Sequence, residues 1–171
     1  MKKTFSRILA LLFIAALVLS VSACGGSSGK QEAKMQTVDS GNGFRISLPA
    51  DMTSDPTDGF ELFYISDYAM MSVVREDYEL LRNAGIDPDT ITIDDYATLV
   101  GQANEITYDK DASGNYVTEY TRTVDGSDFY YFTTLRQSSD SYWVVSFACF
   151  LSDRDKYKAS FEEWAGTIET Y

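Results

Sequence analysis

The chain has 171 residues, of which 26 are acidic and 14 basic, with no histidine, two cysteines and a formal net charge of −12. That length suffices for one domain with a sizeable core. The acidic balance opposes partners such as nucleic acid or anionic lipid headgroups, and the lack of histidine removes the commonest catalytic base.

Lys2, Lys3 and Arg7 precede an apolar run from Ile8 to Leu19. At about a dozen residues the run is too short to span a bilayer, which takes roughly 20. A charged start, a short apolar middle and a small-residue exit are the parts of a secretory signal peptide. Val21-Ser22-Ala23-Cys24 resembles the lipobox of bacterial lipoproteins. The resemblance implies a diacylglycerol thioether on Cys24, cleavage after Ala23, and a protein held by its lipid on the extracytoplasmic face of the cell membrane. Two acyl chains anchor stably where a single chain is marginal. Residues 1–23 are therefore expected to be a lipoprotein signal peptide, residues 24–37 the lipidated cysteine with a flexible tether, and residues 38–171 a single α+β domain. The tether, GGSSGKQEAK at its start, has no apolar periodicity with which to build structure. With Cys24 lipidated, Cys149 is the remaining thiol and no internal disulfide is available.

Phe44 to Leu48 alternates apolar and polar residues and stops at Pro49, the pattern of a strand. Phe60–Ile65 and Ala69–Val74 flank Ser66-Asp67 as a hairpin would. Glu76–Ala84 reads as a short helix closed by Gly85. A second helix is expected from Thr92, with Asp95 three residues on as capping partner and Ile93, Tyr96, Ala97, Val100 and Ala103 as its apolar stripe. Glu105–Tyr108 follows as a strand. Tyr116–Val124, Ser127–Arg136 and Tyr142–Leu151 form a meander whose first turn is Asp125-Gly126. The last of these strands is apolar on both faces, as a central strand covered on each side would be. Ser152 and Asp155 suggest a capping box for a closing helix lined by Tyr157, Phe161, Trp164, Ala165 and Ile168.

In FRISLPADM (Phe44–Met52), IDDYATLV (Ile93–Val100), the aromatic meander and YKASFEEWAGTI (Tyr157–Ile168), the chain resembles the PsbP/Mog-like family, DcrB-like bacterial lipoproteins included. The resemblance implies an α/β/α sandwich: an antiparallel sheet of about six or seven strands with helices packed on its faces. Known members of that family mostly bind or assemble other proteins, and the resemblance carries over no catalytic residues and no cofactor.

Three sets of residues invite a chemical reading. Asp109, Asp111 and Ser113, with Gly114 in the sixth place, imitate the first half of a calcium-binding EF-hand loop, but Tyr120 stands where its bidentate glutamate belongs, and the same residues make ordinary turns. Asp94 and Asp95 could work as an acid/base pair, but adjacent acids at a helix start more simply offset its dipole. Tyr116, Tyr120 and Arg122 project from one strand face and form the candidate interaction surface, since Tyr and Arg are favoured at interfaces; the competing reading places these rings in the core. No nucleophile elbow, HExxH, phosphate loop or Cys/His ligand set is present. The sequence thus points to a non-enzymatic, lipid-anchored module that binds or assembles an envelope protein, without fixing its identity. The alternatives are capture of a sugar or peptide, and a carboxylate-dependent hydrolase.

The lipid reading has a direct test. Cys24→Ala should leave the precursor unprocessed or release unlipidated protein. A processed variant that stays in the membrane fraction would show that Cys24 is not the anchor.

Overall fold

The computed structural model describes residues 34–171; the leader, Cys24 and nearly all of the tether lie outside them. The elements run β1 (Met35–Asp39), β2 (Phe44–Pro49), β3 (Thr53–Ser54), β4 (Leu62–Ile65), β5 (Met70–Asp77), α1 (Tyr78–Asn83) and α2 (Ile93–Asn104). They continue with β6 (Asp109–Lys110), β7 (Tyr116–Val124), β8 (Ser127–Gln137), β9 (Ser141–Phe150), a single 3₁₀ turn over Leu151–Asp153, α3 (Arg154–Gly166) and β10 (Glu169–Thr170). Seven strands make one antiparallel sheet in the order β3-β4-β5-β9-β8-β7-β6, and β1-β2-β10 make a small second sheet. The fold is the expected α+β sandwich. Met35–Thr37, at the end of the expected tether, already belong to β1 and pair with Ser47–Pro49.

Strand β9 is the middle of the large sheet and is buried along nearly all its length. Its odd positions, Trp143, Val145, Phe147 and Cys149, enter the main core with Phe44, Ile46 and Leu48 of β2 and with Phe161, Trp164 and Ala165 of α3. The small sheet and α3 together cover this face. Cys149 is 2% exposed, and burial pushes its thiol up to about 12, so it packs as a small apolar side chain. The even positions Tyr142 and Val144 face the opposite side, where Leu81 of α1 and Tyr96, Ala97 and Val100 of α2 close a second core.

The helix boundaries follow local chemistry. Asp77 caps α1 by accepting from Leu80 N at 2.7 Å. At the other end, Gly85 N bonds Arg82 O and Ile86 N bonds Leu81 O, a Schellman closure that needs the positive φ of Gly85. The capping box of α2 forms as expected, Thr92 and Asp95 bonding each other's backbone N–H.

Several expectations are corrected. Glu76 and Asp77 belong to β5, not to α1. Ala103 is exposed, and Gly101 and Asn104 are buried instead, because the stripe of α2 rotates onto the chain that follows it. A Cβ on Gly101 would stand 2.7 Å from the Ile106 carbonyl oxygen. Glu105–Tyr108 forms no strand; Glu105 takes a left-handed conformation (φ 57°) to end α2, and β6 is only Asp109–Lys110. Ser152 does not cap α3: the 3₁₀ turn intervenes, and Asp153 stands at the cap without a side-chain bond. Ile168 lies beyond the end of α3, but it and half-buried Tyr157 both pack against the main core as expected.

Two measurements probe these cores. Trp164, 5% exposed and edge-on to Phe147 at 5.9 Å, should cost about 3–5 kcal/mol when replaced by Ala. Glu162→Ala, on the exposed side of the same helix, should stay within about 0.5 kcal/mol; denaturation midpoints compare the two. Glu76 is 4% exposed and accepts a 3.0 Å bond from Tyr96 Oη, and burial raises its pKa above 4.5 against that bond. A carboxyl that holds its proton more tightly when folded stabilises fully below its unfolded pKa and loses that contribution as pH rises through the folded value. Glu76→Gln should therefore gain in melting temperature over the native chain as pH rises above 4.5, and the two should converge in acid.

Candidate functional site

The register of the large sheet sorts its second face into rows. Val74, Val144, Leu135 and Tyr116 stand side by side across β5, β9, β8 and β7, under α1 and α2. The next row is Phe63, Ser72, Ser146, Thr133 and Thr118; the one beyond is Ile65, Met70, Ala148, Tyr131 and Tyr120. Neither of these rows belongs to the core that the two helices close. They form instead a smaller cluster of Phe63, Met70, Phe129 and Ala148, with Phe60, Tyr131 and Phe150 packed around it. Both faces of β9 are covered, as its sequence suggests, but helices cover only half of the second face.

In the uncovered half lies a cavity of about 450 Å³, lined by side chains of both rows together with Phe60, Arg122 and Asp125. Its volume is within the range of ligand pockets. Small residues make its floor and large ones its walls. Ser72, Ser146 and Ala148 are too short to fill the space between Phe60, Phe63 and Met70 on one side and Tyr120 and Tyr131 on the other. Tyr120 and Tyr131 stack with centroids 5.0 Å apart and planes inclined by 3°, and Phe60 leans on Phe63 at 5.5 Å. The floor also carries the Ser72 and Ser146 hydroxyls, with Thr133 buried behind them. Thr133 and Ser146 share a 2.9 Å hydrogen bond. Burial raises the pKa of Tyr120, while the Thr133 and Ser146 hydroxyls draw it back down. Ser72 makes no hydrogen bond through its side chain among the described residues.

Of the three residues in the candidate interaction surface, the structure brings two together. Tyr120 and Arg122 both line the cavity, with the guanidinium 5.3 Å over the Tyr120 ring. Arg122 Nη2 also donates to the Asn104 carbonyl at 2.7 Å, placing a cation on the negative end of α2. Tyr116 sits elsewhere. It packs against the core under α2, and Lys110 Nζ lies 4.9 Å over its ring while bonding Asp94 at 3.2 Å. A broader, more open hollow of about 570 Å³ lies there, lined by Asp94, Tyr108 and Tyr116 among others. The opposite face of β7 meets α3: Val117 joins the main core, and Glu119 is paired by Arg154 and Lys158 and accepts from Tyr130 Oη.

The calcium-like residues make a turn. Asp111 Oδ1 accepts from the Ser113 and Asn115 backbone N–H at 2.8 and 2.9 Å, and its other oxygen takes Asn115 Nδ2. Asp109 is in β6, and Ser113 is exposed at the tip. Phe60, Phe63, Met70, Ser72, Tyr131, Ser146 and Ala148 were not legible as site residues from the sequence. The available signal was the small pair Ser146 and Ala148 inside an otherwise bulky central strand.

No protein-family model matches the chain, and no curated protein matches it. Solved structures do. The solution structure of cyanobacterial PsbP (CyanoP) from Synechocystis sp. PCC 6803 is similar over 86% of this chain and 98% of its own, with a TM-score of 0.50 and 13% identity. A point mutant of the protein Mog1 is similar over 80% of this chain and 96% of its own, with a TM-score of 0.53 and 10% identity. The fold is PsbP/Mog-like. Identities this low carry the fold and no residue roles.

Arg122 joins the cavity wall to the end of α2, and that joint is measurable. Arg122→Ala should cost about 1.5–3 kcal/mol, the range for a hydrogen bond made by a charged group. Amide exchange should quicken at Glu105 and Ile106, both of which bond Gly101 O.

Proposed function

We propose that the protein is a lipid-anchored, extracytoplasmic binding module that engages a protein of the cell envelope through the uncovered half of its large sheet. The observation that carries this reading is the aromatic cavity of about 450 Å³ in a face whose other half is sealed by α1 and α2. Aromatic rings rimmed by a polar edge are the usual material of interface hot spots. The sequence supports the address: Val21-Ser22-Ala23-Cys24 resembles a lipobox, and a tether after it would leave the domain free to meet membrane partners. The resemblance to PsbP/Mog-like proteins adds that this fold is used for binding and assembly.

The runner-up is sugar capture, favoured by the same rings, since sugars stack on aromatics. It fits the floor less well. A sugar carries hydroxyls around its whole rim, and most would be buried without partners against Phe63, Met70 and Ala148. A paired-carboxylate hydrolase finds one carboxylate, Asp125, in the described lining.

The test is a photo-crosslinker at Asp125, on the cavity rim, in living cells. An adduct with an envelope protein that disappears when Ala148→Leu fills the floor supports the reading. No adduct, or one indifferent to the filling, defeats it.

A further inference from the structure

We infer that the cavity is a slot for one tyrosine side chain of the partner: a planar apolar ring with a single hydroxyl at its far end. This rests on the proposed binding role and names the group that the partner inserts.

The lining separates apolar walls from a polar floor. Phe60, Phe63 and Met70 stand on one side, and the Tyr120–Tyr131 stack on the other. Rings of this kind favour another ring between or beside them, in offset or edge contact. Polar lining lies at the two ends: Arg122, Thr123 and Asp125 toward the β7–β8 turn, and Ser72 and Ser146 where the helix-covered half meets the open one, with buried Thr133 bonded behind Ser146. A side chain that fits must therefore be apolar along its middle and polar at its tip, where it meets Ser72 and Ser146, with its backbone at the charged end. Benzene-like groups lack the polar end, and sugars carry hydroxyls around the whole rim.

The hydroxyls also set the sense of the hydrogen bond. Each carries one proton and two lone pairs, so hydroxyls that bond one another run out of protons before they run out of lone pairs. Thr133 and Ser146 already bond each other, with the Tyr120 hydroxyl beside them. What the cluster lacks is an external donor. A phenol supplies one, and it can accept from Ser72, whose hydroxyl has no partner among the described residues. The floor contains no charged group, so the inserted end is neutral. Arg122 and Asp125, the two charges in the lining, lie in and next to the β7–β8 turn region, where the partner's backbone would pass.

The experiment uses the full chain in lipid nanodiscs with labelled methyl groups on Met70 and Ala148, which report from inside the cavity. N-acetyl-tyrosinamide, N-acetyl-phenylalaninamide and methyl glucoside are titrated separately. The tyrosine amide should shift both methyls and half-saturate at a concentration about tenfold below that of the phenylalanine amide, the factor expected from one net hydrogen bond. Ser72→Ala, which breaks no hydrogen bond among the described residues, should shrink that preference to about threefold or less. Ala148→Leu should abolish the Met70 shift. Equal response to the two amino-acid amides would overturn the tyrosine slot in favour of a purely apolar one; response to the glucoside alone would reassign the cavity to sugars. No response to any probe also overturns the slot, while leaving a crosslinked partner, if found, to bind by other contacts.

Discussion

Strand β9 pairs with β5 over Ser141–Ala148 and with β8 over Tyr142–Phe150, and it carries Trp143, Val145, Phe147 and Cys149 to one face and Tyr142, Val144, Ser146 and Ala148 to the other. A strand buried on both sides must satisfy two partners at once, and the period of two leaves no freedom to slip between them. On the first face the demand is met in full. Phe147 stacks with Phe161 at 5.6 Å and meets Trp164 edge-on, so α3 is fixed to the sheet by rings rather than by its weakly formed N-terminus. The small sheet completes the cover, with Phe44 against Trp143 at 5.2 Å.

On the second face the same strand changes character halfway along. Tyr142 and Val144 are bulky and meet α2, with Tyr96 stacked on Tyr142 at 4.1 Å. Ser146 and Ala148 are small and meet the cavity. The helix ends beside Arg122, which lines the cavity. Glu105 turns the backbone left-handed, Gly101 lets the exiting chain pass within contact of the helix, and Arg122 takes the last carbonyl. The end of the cover and the beginning of the hollow are thus one construction, and Arg122 belongs to both.

Charge plays a smaller part in the architecture. Most ion pairs, such as Arg82–Asp89 and Lys110–Asp94, are exposed and contribute little. The acid that matters is the buried one. Glu76 stands at the helix-covered end of the second face, held by Tyr96 and favouring its proton. It has no counterpart in the cavity, whose floor is hydroxylic and neutral.

The sequence by itself determined the local elements. The Asp125-Gly126 turn, with both residues at positive φ, the Thr92–Asp95 capping box, the closure at Gly85 and the period-two meander are set by contacts within a few residues, and all are where local chemistry puts them. It also singled out Tyr116, Tyr120 and Arg122 as a candidate surface, of which Tyr120 and Arg122 line the cavity. Tertiary structure decided the rest. Strands β3, β6 and β10, two residues each, exist only because a neighbour offers a ladder. The first turn of α3 forms without a side-chain cap because its rings are buried further on. Tyr116 and Tyr120 share a strand face, yet one lies beneath a helix and the other walls a cavity, since where α2 ends depends on chain that is distant in sequence. The cavity draws on β4, β5, β7, β8 and β9, and a hollow is the absence of a side chain at a meeting of five strands. No local pattern records that absence until the strands are laid side by side.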